Sequence, residues 1–187
     1  MESPRSHEQS ANSRELFTAQ DVDAVLNLVQ SKQLKKIFVV GAMGSGKSSF
    51  AEALSRSTNL PNIELDQYAQ RYEQEVGSRS GDIRKTFAFA IAKQGDAYIV
   101  DHAELLGKDL ESFADMVVLL NPRHEELRRS YEERKQRGAT GDWLKFGPEE
   151  LARFSTNIAQ EFGELPGNVT YENTRTGVSV KVLTSRT

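Results

Sequence analysis

The residues best suited to chemistry in this 187-residue chain are Gly41-Ala42-Met43-Gly44-Ser45-Gly46-Lys47-Ser48, which satisfy the pattern G-x-x-x-x-G-K-[ST]. Glycines let a backbone curl until successive N–H groups point inward, and such a concavity suits phosphate oxygens. A helix opening near Lys47 adds the positive end of its dipole. Lys47 can reach β- and γ-phosphates as a point charge, and the Ser48 hydroxyl can ligate Mg²⁺. Ser49 extends the cradle into the helix. A glycine turn with an incidental lysine is the alternative. The context argues against it, because a buried strand precedes the motif and a helix follows it. ATP and Mg²⁺ are the expected cofactors.

Two further groups could act on a bound phosphate. Glu64 and Asp66 close a second strand candidate, with Asp66 placed 19 residues after Lys47. In a parallel sheet that strand end faces the same edge as the glycine loop. A carboxylate there can take the proton of an attacking hydroxyl or hold water on Mg²⁺. Asp66 also precedes a helix, so an N-cap is its alternative role. Asp101 follows a third strand and reads equally well as a turn aspartate. His102 reads as an incidental exposed side chain. Arg128, Arg129, Arg134, Lys135 and Arg137 crowd one helix ahead of Gly138. Phosphoryl transfer spreads negative charge over the moving group, so cations able to close over it are useful. Arg134 and Arg137, nearest the loop, are the candidates. The other arginines read as solvated side chains paired with Glu125, Glu126, Glu132 and Glu133. Trp143 reads as a hydrophobic anchor beside the loop, with stacking on a base as the alternative.

The elements that must position these residues alternate between strand and helix. Residues 1–16 are polar and are expected to form a disordered tail. Residues 17–33 are expected to form an amphipathic helix packed on the core. Thr18 and Asp21 form a capping box, Phe17 and Val22 a staple, and Val22, Val25, Leu26 and Val29 one apolar stripe. Residues 34–187 form the main domain. Its buried-strand candidates are Ile37–Val40, Asn62–Leu65, Tyr98–Val100, Met116–Leu120 and Val169–Tyr171, with Val178–Leu183 as an edge-strand candidate. Helices are expected over 67–76, 82–93 and 123–137, and from Pro148 onward. The pattern predicts an α/β fold with a mostly parallel five-stranded sheet, whose ligands bind at the carboxyl ends of strands. The chain lacks cysteine, which excludes disulfides, thiolate catalysis and cysteine zinc sites. Its net charge is −3, which does not favour a nucleic-acid-binding face. No apolar run approaches the length of a membrane span, so no membrane partner is expected, and a cytoplasmic location is.

Asn62-Ile63-Glu64-Leu65-Asp66-Gln67-Tyr68 resembles the stretch after the first helix of bacteriophage polynucleotide kinases, where an aspartate followed shortly by tyrosine is the general base. Glu64-Leu65-Asp66-Gln67 also resembles the D-x-D-[QE] stretch of shikimate kinases. Both resemblances put the base on Asp66. Shikimate kinases carry three glycines after the third strand, whereas this chain has Asp101-His102-Ala103-Glu104. Polynucleotide and nucleotide kinases have an aspartate near this point, and the resemblance implies that Asp101 joins Ser48 around Mg²⁺. Leu127, Arg134, Arg137-Gly138 and the later Pro148-Glu149-Glu150-Leu151 resemble the polynucleotide kinase lid, here around 134–147. The resemblance implies a three-layer P-loop sandwich with a short lid. Lys47, Asp66, Arg134 and Arg137 would be catalytic. Arg84 and Glu64 would face the acceptor, with Arg71 and Arg79 in the same region. The implied activity is ATP-dependent transfer to a hydroxyl of a nucleotide or nucleic acid, one form being a hydroxymethylated pyrimidine in phage DNA. A small-metabolite kinase and a non-kinase NTPase switch are the rivals. Oligomeric state is left open.

Overall fold

The computed structural model describes residues 16–78, 81–140 and 142–183, with the side chains of Asp142 and Trp143 outside that description. The expected tail, apart from Leu16, therefore lies outside the described residues, as do Arg79 and the proposed role of Trp143. The elements run α1 (Ala19–Lys32), β1 (Lys36–Gly41), α2 (Lys47–Thr58), β2 (Asn62–Glu64), α3 (Leu65–Val76), α4 (Ile83–Gln94), β3 (Tyr98–Asp101), β4 (Met116–Leu120), α5 (His124–Gln136), α6 (Pro148–Glu164), β5 (Val169–Asn173) and β6 (Val178–Val182). No described helix is long and apolar enough to cross a membrane.

The described strands form one sheet in the order β2-β3-β1-β4-β6-β5. The first four are parallel, and β6 and β5 close the sheet as an antiparallel pair. Side chains alternate across the sheet with a period of two. Phe38, Val40, Val100, Val117 and Leu119 enter one core with Phe87, Ala90, Ile158 and Phe162 from α4 and α6. Ile37, Val39, Ile99, Met116 and Val118 enter a second core with Val22, Val25 and Val29 of α1 and Phe50, Ala51 and Leu54 of α2. The result is the expected three-layer α/β sandwich, with six described strands rather than five.

The sixth strand corrects the expected order at the sheet's end. Val169–Asn173 is the edge strand and is largely exposed, whereas Val178–Val182 is the inner one, with Val178 and Val180 fully buried. A lysine in an alternating segment suggests an edge. Here Lys181 is buried, and its ammonium donates to the carbonyls of Gly163 (2.9 Å) and Leu165 (3.1 Å) at the end of α6. Those carbonyls are left over from the helix, and a cation there opposes the negative end of its dipole.

Helix α1 is fixed by one fully buried carboxylate. Thr18 caps the helix and forms the expected capping box with Asp21. Asp21 Oδ2 accepts from the Thr18 N–H (2.7 Å) and hydroxyl (2.9 Å), while Oδ1 accepts from the Tyr171 hydroxyl (2.7 Å) and the Asn173 amide (2.8 Å). The cap of α1 is thereby tied to edge strand β5. Burial works against the Asp21 charge, but these hydrogen bonds outweigh it and lower its pKa. Burial, reinforced by the bond to Asp21, pushes Tyr171 up to about 12. The carboxylate therefore contributes stability above its unfolded pKa, and that contribution is lost as pH falls through the depressed folded value. The phenol's contribution is present below its unfolded pKa and is lost as pH rises through about 12. Asp21→Ala should lower stability by about 2–3 kcal/mol, read as a shift in urea midpoint at constant slope. The acid-side loss of stability assigned to Asp21 should disappear in the same variant.

Candidate phosphate-binding and catalytic site

The loop after β1 is shaped by glycine at every constrained point. Gly44 and Gly46 have φ of +84° and +88°, the left-handed region that glycine enters without strain. Gly41 is constrained by contact: a Cβ there would lie 2.5 Å from Ser45 Oγ and 2.6 Å from the Leu120 carbonyl of β4. Helix α2 opens at Lys47, with Gly46 as its N-cap. Its first N–H groups lack intrahelical acceptors and face the loop, which is the geometry that holds a phosphate. Ser45 is buried, and its Oγ has no hydrogen-bond partner among the described residues.

Parallel register brings the acidic residues to this loop. Asp101 is level with Val39 of β1 and with Glu64 of β2. The Ser48 hydroxyl donates to Asp101 Oδ2 at 2.7 Å. Asp101 Oδ1 is buried and has no partner among the described residues. Burial raises the Asp101 pKa against the opposing effects of Ser48 and Lys47. A buried carboxylate with one oxygen unpaired beside a serine hydroxyl fits a divalent cation. Mg²⁺ typically takes one or two carboxylates, waters and substrate phosphates rather than an all-protein cage. No group of three or more acidic, histidine or cysteine side chains fit to hold a metal occurs among the described residues.

Asp66 lies in the first turn of α3, and the N-cap of that helix is Glu64. Asp66 is therefore not the cap residue. Its carboxylate is open to solvent and lies 3.3 Å from His102 Nε2. His102 Nε2 beside it lowers its pKa, burial opposes that, and the Lys47 charge acts with His102. His102 is largely buried rather than an incidental exposed side chain. Lys47 is half-buried. Burial lowers its pKa, the carboxylates of Asp101 and Asp66 oppose that, and Arg134 pushes the same way as burial. Lys47, Asp66, Asp101 and Arg134 thus share one electrostatic neighbourhood.

Ser130 explains how Arg134 reaches it. The Ser130 hydroxyl donates to the Gly44 carbonyl at 3.3 Å, docking α5 on the loop. Arg134 follows one turn later on the same helix face. Nothing in the sequence marked Ser130, since a serine inside a charged helix has no signature of its own. Arg137 is the exposed C-cap of α5. Arg128 pairs with Glu149 of α6 and Arg129 with Glu133, so these two arginines act as structural surface charges. Arg84 is held by Asp82, which accepts from Nε (3.0 Å) and from a terminal nitrogen (3.1 Å). Glu64 accepts from Gln67 at 2.6 Å. Arg71 stacks over the Tyr68 ring.

The profile of the ATPase family associated with various cellular activities (AAA) matches residues 37–135, which spans this loop, both strand ends and nearly all of α5. The chain belongs to the AAA family. It is a P-loop NTPase domain in both sequence and fold. Similar solved structures include a chain of the Pnkp1/Rnl/Hen1 RNA repair complex, at 16% identity and TM-score 0.48, covering 74% of this chain and 52% of that one. TT1252 from Thermus thermophilus is similar at 17% identity and TM-score 0.47, covering 68% and 83%. A gluconokinase from Sinorhizobium meliloti 1021 is similar at 20% identity and TM-score 0.40, covering 67% and 92%. This chain spans about half the length of the RNA-repair chain that it matches. No curated protein matches the sequence.

Gly41→Ala tests the loop directly, because the Leu120 carbonyl is backbone and has little room to yield. Its affinity for a fluorescent ATP analogue should fall by about tenfold or more, a loss of at least about 1.4 kcal/mol. Wild-type affinity in that variant would mean that the loop does not hold the phosphates.

Proposed function

We propose that this AAA-family domain is an ATP-dependent kinase that transfers the γ-phosphoryl group to a hydroxyl. The observation that carries this reading is an accessible carboxylate, Asp66, one strand-end away from Asp101 and within electrostatic reach of Lys47. The backbone N–H groups of Gly41–Ser49 cradle the phosphates, and Lys47 donates to the β- and γ-oxygens. Ser48 and Asp101 would hold Mg²⁺, which when bound neutralises charge on those oxygens. Asp66 accepts the proton as the acceptor O–H bond breaks. The acceptor oxygen bonds to the γ-phosphorus, and the bond to the bridging oxygen breaks with its electron pair leaving on ADP. Arg134, docked through Ser130, lies over the transferring group, and Arg137 joins it when the lid closes.

The acceptor is proposed to be a nucleotide or nucleic-acid hydroxyl, a hydroxymethylated pyrimidine in DNA being one form. Supporting this are the polynucleotide-kinase-like stretch Asn62–Tyr68 and the absence of a glycine run after Val100. Glu64 and Arg84 would face that acceptor, Arg84 by exchanging Asp82 for a substrate phosphate. A cytoplasmic location is part of this proposal. The family match favours one other reading, ATP hydrolysis with Asp66 orienting water.

Transfer of labelled γ-phosphate should be measured against nucleosides, nucleotides, DNA with ordinary or hydroxymethylated bases, and small sugars and acids. Label is expected on a nucleotide or DNA hydroxyl, and release only as free phosphate with every acceptor would overturn the kinase reading. Asp66→Asn should lower kcat by about 10²-fold or more with ATP binding intact. Asp101→Asn should weaken nucleotide binding only when Mg²⁺ is present, which a titration with and without the ion would show.

A further inference from the structure

We infer that His102 is a positioning residue for Asp66, holding the base carboxylate in its productive rotamer through an Nε2–H donor braced from the P-loop strand. The inference rests on the kinase reading of Asp66. Three contacts make the brace. The His102 backbone N–H donates to the Val39 carbonyl of β1 at 3.2 Å. The Glu104 N–H donates to His102 Nδ1 at 3.0 Å. Nε2 then faces Asp66 Oδ1 at 3.3 Å.

Because Nδ1 accepts, the ring proton resides on Nε2, the nitrogen that faces the carboxylate. The ring cannot turn without breaking the Glu104 bond. Its side chain is only 17% exposed, whereas that of Asp66 is 91% exposed. A surface aspartate samples several rotamers, and a reacting carboxylate displaced by about 1 Å can lose about 10² in rate. His102 removes that freedom by occupying Oδ1, which leaves Oδ2 to receive the acceptor proton. The brace starts on β1, so the base is registered to the strand that carries Gly41 rather than to its own helix alone. Nothing in this role requires His102 to touch substrate.

The test separates the donor from the ring. His102→Phe keeps the ring volume and removes the N–H, whereas His102→Gln removes the ring and returns an amide donor. The expected kcat for phosphoryl transfer falls about 10- to 100-fold in His102→Phe, while the KM for ATP stays within about twofold of wild type. His102→Gln should recover much of the loss. In an Asp66→Asn background His102→Phe should have little further effect, since the group it positions is already disabled. Equal rates for the Phe and Gln variants, or an undiminished His102→Phe effect in the Asp66→Asn background, would overturn the proposal. If the wild-type protein hydrolyses ATP but phosphorylates no hydroxyl, the kinase reading fails by itself. The same comparison is then made on hydrolysis: Gln above Phe upholds the positioning role, and equal rates overturn it.

Discussion

The site depends on the parallel register of β2, β3, β1 and β4, whose carboxyl ends fall together along one edge. Val39, Asp101 and Glu64 are level across three strands, so a glycine loop leaving β1 meets carboxylates leaving β3 and β2. The contact that fixes this convergence is the 2.7 Å hydrogen bond from Ser48 to Asp101. It joins the first turn of α2 to the end of β3, and so aligns the phosphate cradle with the acidic edge. A strand slipped by one residue would turn Asp101 to the other face of the sheet and leave Ser48 without its partner. Apolar alternation on both faces makes such a slip costly, because it would exchange the contents of two separate cores.

The same arrangement concentrates opposing charges before any phosphate arrives. Lys47 is held partly out of water, and Asp101 and Asp66 compensate its charge. Asp101 is buried deeply enough that its ionised form is disfavoured despite Lys47 and Ser48 nearby. An anionic ligand with a divalent cation would relieve both strains, since phosphate oxygens would face Lys47 and the cation would face Asp101. Preorganised charge of this kind acts on a transferring phosphoryl group without rearranging at the moment of reaction. Helix α5 joins this arrangement through Ser130, whose hydroxyl holds it to the loop at the Gly44 carbonyl.

Most of the frame was legible in the sequence because it rests on local signals. The glycine pattern, the β-branched runs and the Thr18–Asp21 capping box each act over a few residues. What escaped were contacts between residues far apart in the chain. Asp66 read as a base with a cap as the alternative, and only its position in the first turn of α3, beside His102, removed the cap. His102 looked incidental because its partner lies a strand away. Alternation made β6 look like an edge, and a lysine within it gives no sign that it will be buried against the end of a helix. The Asp21 hydrogen bonds to Tyr171 and Asn173 span 150 and 152 positions, beyond any local pattern.

The central claim is that Lys47, Asp66, Asp101 and Arg134 surround one γ-phosphoryl group. A crystal structure of the protein with Mg²⁺, ADP and a planar metal-fluoride mimic of that group tests it most directly. The expected arrangement has Lys47 and Arg134 on the equatorial fluorides, the cation between Ser48 and Asp101, and the Asp66 carboxylate facing the apical position opposite ADP. Asp66 turned away from that apical position, or a fluoride group held without Lys47, would contradict it.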